Sequence, residues 1–207
     1  MSAEETLSIP SETRALLDAI RKRRSFGLAD VSPEPIDLSL VETMLEAANW
    51  APSHGKTEPW RFTVFAGDGR QKLSDAFGEA YRLVTPPALY SEAGEAAQRE
   101  RAWQAPVWIS IGMSPEYDLH GKPRMPEWEE QIAAGISAYI IHTVAASMGL
   151  AAKWTSGKVV IHPHVAKVAG LEEPARLLGF LYVGMPKREW PQGIRRPIAQ
   201  KVRWITE

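Results

Sequence analysis

The chain has 207 residues, with 24 Lys and Arg against 25 Asp and Glu, 44% hydrophobic residues and no cysteine. A net charge of −1 argues against a general nucleic-acid binder, and ordinary apolar and charged content argues against disorder. The missing thiols exclude disulfides, thiolate catalysis and Cys-ligated metals.

No apolar run reaches the roughly 18 residues that a bilayer span needs. The nearest, 132–150, is interrupted by Ser137, His142, Thr143 and Ser147, so no membrane association is expected. Glu4 and Glu5 without an apolar h-region argue against a signal peptide, and a cytoplasmic enzyme is expected.

In chain order, residues 13–23 are predicted as a helix, because Leu16, Leu17 and Ile20 recur at helical spacing. Its end is the basic run Arg21-Lys22-Arg23-Arg24, where cations meet the negative helix terminus. Pro33 and Pro35 enforce a loop. Asp37 or Ser39 then caps a second helix with Leu38, Val41, Leu45 and Ala48 on one face. After the break at 51–56, residues 60–66 read as a strand that ends in the turn Gly67-Asp68-Gly69.

Helices are expected at 70–84 and 91–104, and a short buried strand at 107–111. The polar stretch 117–126 is a loop and a candidate lid. The longest helix, 127–148, carries a stripe of Ile132, Ile136, Ile140 and Val144 and stops at Gly149. Its small residues, among them Ala133, Ala134, Gly135 and Ala138, allow close approach of another helix. Strands are expected at 151–156 and 178–183. Beyond Gly184 the chain is rich in Pro and Arg and too poor in apolar residues to build its own core, so it should wrap over something, a second subunit being a good candidate. With four strand candidates and no repeat or linker, this is one α+β unit with helices around a central sheet.

Four places could carry chemistry. Arg23-Arg24-Ser25 offers two guanidiniums, which match phosphate oxygens in bidentate fashion, and a hydroxyl donor. Alone, such a run is more often a solvated helix end, and a basic nuclear-localisation or nucleic-acid patch is a third option that the balanced net charge weakens. The segment Ala47-Ala48-Asn49-Trp50-Ala51-Pro52-Ser53-His54, then Glu58-Pro59-Trp60-Arg61-Phe62, is uncommon; taken singly, His54 is a loop histidine and Trp60 a core residue. Trp154-Thr155-Ser156-Gly157 leaves a strand with donors and a glycine that lets a ligand approach the backbone. His162-Pro163-His164 lacks the spacing and nearby carboxylates of a metal site, so no metal is expected. No nucleophile elbow, P-loop or dinucleotide fingerprint occurs.

Read in order, Arg23-Arg24-Ser25, the segment from Ala47 to Phe62, Trp154-Thr155-Ser156-Gly157 and Gly179-Phe180-Leu181-Tyr182-Val183-Gly184-Met185-Pro186 resemble the nitroreductase family of FMN enzymes. The likeness spans about residues 13–200 and is nearest to the short YdjA-like members.

It implies a mostly antiparallel sheet flanked by helices in one domain, 1–207, with an N-terminal lead at 1–12. It also implies an interlocked homodimer with two FMN sites at its interface and a C-terminal extension, 188–207, wrapping the partner. Arg23 and Ser25 would hold the FMN phosphate, and Arg24 the phosphate or the flavin ring. Trp50 and His54 would line the flavin from the partner subunit, and Trp154, Thr155 and Ser156 would run beside the isoalloxazine. Arg195 or Arg196 would add a late cation at the phosphate.

NADPH or NADH would reduce the flavin, and a small-molecule acceptor such as a nitro compound or quinone would reoxidise it in a ping-pong cycle, with no catalytic side chain required. Lys153 or Lys158 is a candidate cation for the reduced ring. A flavin dehydrogenase or dehalogenase on this scaffold, or a non-catalytic FMN-binding protein, remains open. The sequence departs from the family in Phe26-Gly27-Leu28, where a further basic residue is usual, and in Glu58, where a neutral amide is usual.

Overall fold

The computed structural model describes residues 9–207, so residues 1–8 of the expected lead lie outside it. The helices are α1 (Ser11–Lys22), α2 (Leu38–Ala48), α3 (Arg70–Val84), α4 (Glu92–Arg101), α5 (Glu127–Ser147) and α6 (Pro163–Val168). The strands are β1 (Trp60–Arg61), β2 (Val64–Ala66), β3 (Val107–Met113), β4 (Ala151–Thr155) and β5 (Arg176–Gly184).

Every side chain of β3 is buried, and most of β5 is, because both strands are covered on two faces. They pair at the centre of an antiparallel sheet of order β1-β3-β5-β4, and β2 also pairs with β3. One core fills the side of α3 and α6, around Phe77, Trp108, Phe180 and Tyr182. A second fills the side of α2 and α5, around Met44, Ile109, Ile141 and Leu181. The α+β architecture with a mostly antiparallel sheet is therefore present as expected.

Three differences from the expected elements have local causes. The single strand expected at 60–66 is two strands on one continuous register, Trp60 opposite Met113 and Ala66 opposite Val107. Between them the Ser110 amide still donates to the Thr63 carbonyl at 2.8 Å, but the Thr63 amide turns to the Ser110 hydroxyl at 2.8 Å, so only half of the ladder pair is made there. The helix α6 was missed: Pro163 occupies its first turn, where no amide is needed, and the His162 ring accepts the His164 amide at 3.2 Å as a cap. Finally, the stripe Ile132, Ile136, Ile140 and Val144 is not the buried face of α5. The small residues Ala133, Ala134, Ser137, Ala138 and Ala145 face the core, while Ile132 is 53% exposed. A helix apolar all round has a second face left to cover. Leu16 and Ile20 of α1 and Tyr139 of α5 are likewise exposed.

A register slip between β3 and β5 falls at Ile111 and Gly112, leaving Leu178 unpaired with β3. Its carbonyl instead accepts the Trp154 indole N–H at 3.2 Å. Gly179 next to it has φ 142°, and a Cβ there would run into the Trp154 indole and stand 2.5 Å from the Thr155 carbonyl. The bulge thus fixes the ring of one of the expected site residues.

Candidate functional site

The arginine tract begins where α1 stops. Arg23 is the C-cap residue with extended backbone, and Ser25 makes a parallel bridge to Ala152 at the start of β4. The Phe26 amide donates to the Ala152 carbonyl at 3.1 Å, and the Tyr182 hydroxyl donates to the Phe26 carbonyl at 2.8 Å. Phe26 itself is fully buried and anchors the tract in the core.

The C-terminal segment returns across it. Trp190 packs edge-on against Phe26 at 4.8 Å and donates its indole N–H to the Lys22 carbonyl at 2.5 Å. Arg24 donates from Nε to the Pro191 carbonyl at 3.1 Å and from Nη1 to the Arg23 carbonyl at 2.6 Å. The first residues of the expected extension therefore dock on their own chain, and this brings Arg195 to the tract.

Arg23, Arg24 and Arg195 line one cavity of about 540 Å³, with Ile20, Arg21, Tyr139 and Gly193. That volume lies in the usual range for small-molecule sites. Among the described residues no carboxylate lines it. Burial, with the like charges of Arg195 and Arg24 against the opposing effect of Tyr139, holds the Arg23 guanidinium below its ordinary pKa. Uncompensated positive charge of this kind is stabilised by a bound anion, best by a phosphate that accepts several guanidinium N–H bonds. A second cavity of about 360 Å³, between α6 and the start of β5, carries Lys167 and Arg176 together with Glu172 and Glu173 and has no such bias. Arg196 is exposed and does not line the arginine cavity. Ser25 is exposed beside it in sequence, at the sheet edge.

The tract on β4 divides between the two faces of the sheet, as strand alternation requires. Trp154 packs on the α5 side. The Thr155 hydroxyl accepts from Arg101 Nη2 at 2.8 Å on the other. Arg101 sits over Phe77 and Trp108, and burial lowers its pKa. Sequence reasoning missed it: it stands 54 residues away, and nothing in its own helix distinguishes it. Lys153, Ser156 and Lys158 are exposed.

Trp50 and His54 lie elsewhere. Trp50 is 82% exposed after α2. His54 Nδ1 meets Glu129 Oε2 at 2.5 Å, in the first turn of α5, and the Arg24 carbonyl meets His142 Nε2 at 2.9 Å on the same helix. These contacts are thirteen residues apart, about 20 Å along the axis. One chain therefore does not bring Trp50 and His54 to its own arginine cavity. The loop that holds His54 is pinned: Gly55, Lys56 and Glu58 all have positive φ. The Glu58 amide donates to Ser53 Oγ at 3.1 Å, and Thr57 Oγ1 donates to the buried Glu130 at 2.9 Å. Arg124, from the expected lid, donates to the Gly55 carbonyl at 2.9 Å, so that loop is tied to the His54 segment. Trp60 is core, its indole donating to Asn49 at 3.1 Å.

Fold and cavity together define an α+β protein with an arginine-lined cavity beside the start of an edge strand. The model of the nitroreductase family matches residues 20–185, and the chain belongs to that family; it is an oxidoreductase. YdjA of Escherichia coli (strain K12), provisionally named an NAD(P)H nitroreductase, is 27% identical over 181 residues, covering 86% of this chain and 91% of its own. A nitroreductase-like family protein from Bacillus cereus superposes with TM-score 0.74 at 24% identity over 98% of this chain and all of its own. The NfnB nitroreductase of Mycobacterium smegmatis, described as FMN-dependent and solved with NADPH, has TM-score 0.70 at 17% identity over 95% of this chain and all of its own. Among the described residues no helix is long and apolar enough to cross a membrane.

Proposed function

We propose that this chain is a cytoplasmic, FMN-dependent homodimeric oxidoreductase that uses NADPH or NADH to reduce nitro compounds, quinones or related small acceptors. The observation that carries the FMN site is the convergence of Arg23, Arg24 and Arg195 on one cavity that no carboxylate lines among the described residues. The donor set fits a phosphate monoester: the planar guanidiniums of Arg23, Arg24 and Arg195, with a fourth, Arg21, on the cavity wall and the Ser25 hydroxyl next in sequence. FMN, when bound, supplies the two-electron transfer between nicotinamide and acceptor.

The protein's own residues bind, orient and enclose. Arg23 and Arg195 hold the phosphate and Arg24 is braced by the Pro191 carbonyl to share it. Trp154, locked by its bond to Leu178, would line the flavin together with Thr155 and Ser156 at the end of β4. The second copy supplies Trp50 and His54, which its own arginine cavity leaves unused about 20 Å away along α5. The exposed apolar face of α1 and α5 is the surface that pairs, and residues from Arg196 onward extend over the partner. The whole chain, 1–207, works as one domain.

The decisive experiment is spectroscopic. Purified protein should carry a flavin absorbance spectrum that bleaches within seconds of anaerobic mixing with NADPH or NADH and returns on adding a nitroaromatic or quinone. A protein that binds no FMN would sink the proposal; a yellow protein that neither nicotinamide reduces would leave only binding.

A further inference from the structure

We infer that His142 is a positioning residue for the phosphate site, setting the geometry of the arginine tract through a hydrogen bond from its ring to the Arg24 carbonyl. This rests on the reading of that tract as the phosphate site. Between the end of α1 and the core residue Phe26 the chain belongs neither to a helix nor to the sheet, apart from the single bridge at Ser25. The bonds at Phe26 hold the far end of the tract. His142 is the group that holds the peptide of Arg24, at 2.9 Å from its carbonyl.

The chemistry assigns the proton. A carbonyl only accepts, so Nε2 carries the hydrogen. Burial, with the nearby charge of Arg23, keeps the ring below the ordinary histidine pKa, the Arg24 and Ala152 carbonyls pulling the other way. His142 is therefore the neutral Nε2–H tautomer at neutral pH, with that N–H donated to the Arg24 carbonyl. One turn earlier the same helix presents Tyr139 to the cavity that Arg23 and Arg195 line. So α5 fixes the site from both sides, Tyr139 at the cavity wall and His142 behind the backbone. Losing the His142 donor frees a part-buried carbonyl, and rotation of that peptide shifts Arg24 and Ser25, the residues on either side of it.

Positioning of a phosphate site should be read in phosphate affinity alone. The full-length apoprotein is titrated with FMN and with riboflavin, the same molecule without its phosphate. Three chains are compared: wild type, His142→Leu, and His142→Gln, whose amide N–H stands near the position of Nε2. His142→Leu should raise the FMN Kd about tenfold and leave that for riboflavin unchanged. His142→Gln should recover most of the loss. Equal weakening of both ligands by His142→Leu, or a Gln variant as weak as the Leu one, overturns the inference.

Arg23→Ala run alongside separates the two layers. If it leaves the preference for FMN over riboflavin intact, the phosphate reading fails whatever His142 does. Should His142→Leu not fold, nitrogen-15 NMR of wild-type His142 decides. An Nε2–H ring whose resonances move with FMN and not with riboflavin supports the inference, and an Nδ1–H ring overturns it.

Discussion

Replacing Arg23 with alanine should have opposite effects on the empty and the loaded protein. Arg23 lies in a cavity with Arg24 and Arg195 and no carboxylate, and burial and those like charges hold its pKa down. In the apoprotein the guanidinium is thus a net electrostatic cost, and Arg23→Ala should leave the melting temperature unchanged or raise it. With FMN bound, the same group makes charge-assisted hydrogen bonds, each worth about 1.5–3 kcal/mol. Their loss corresponds to a rise in Kd of roughly 10- to 150-fold. Flavin fluorescence titration of apoprotein measures the second effect, and thermal melts with and without FMN measure the first. Ligand at 100 times its Kd adds about 2.7 kcal/mol of stability, so the melting shift caused by FMN should shrink in the variant. Unchanged FMN affinity, or a destabilised apoprotein, would refute the reasoning and move the phosphate elsewhere.

Other expectations follow from the same geometry. Ile132→Glu lies on an exposed position of α5 and should not disturb the isolated chain, yet it should shift sedimentation from dimer to monomer and lower flavin content together. Retention of the dimer would exclude this face as the interface. Gly179→Ala places a methyl against the Trp154 indole and the Thr155 carbonyl at positive φ, so it should cost about 1–3 kcal/mol in urea unfolding. Glu95 is held at about 2 by hydrogen bonds from Arg82 and Tyr90 and by Arg99. A depressed carboxylate stabilises above its unfolded pKa and loses that contribution as pH falls through its folded value. Melts should therefore show Glu95→Gln weaker than wild type at neutral pH, with the gap closing between about pH 4.5 and pH 2. A gap that persists at pH 2 would mean the network does not act through that charge.

Local signals were legible where one residue type forces one conformation. Asp37 caps α2 by accepting the Ser39 amide at 2.9 Å, and α3 spans the expected 70–84. The apolar run from Val107 forms the central strand because it is covered on both faces. The arginine tract, the Trp50–His54 segment and the β4 tract were all visible as residues and as a family likeness. Their grouping came only with that likeness, and nothing in the residues themselves showed it. Arg195 reaches Arg23 only because Trp190 docks on Phe26, a contact between residues 164 apart in the chain. Arg196, its equal in sequence, points elsewhere for the same reason.

Periodicity also misplaced the buried face of α5. Hydrophobicity marks a face that must be covered and is silent on which neighbour covers it. Here small residues, with Ile141, take the chain's own core, while Ile132 and Tyr139 stay exposed. His142 and Arg101 carried no signal in sequence at all, since each owes its role to a partner more than 50 residues distant. Amino-acid order settled the elements and the chemical inventory, because those depend on near neighbours. Which arginines meet, which face stays bare and which histidine stands behind the tract depend on packing between distant segments, and that is decided only when the chain closes on itself.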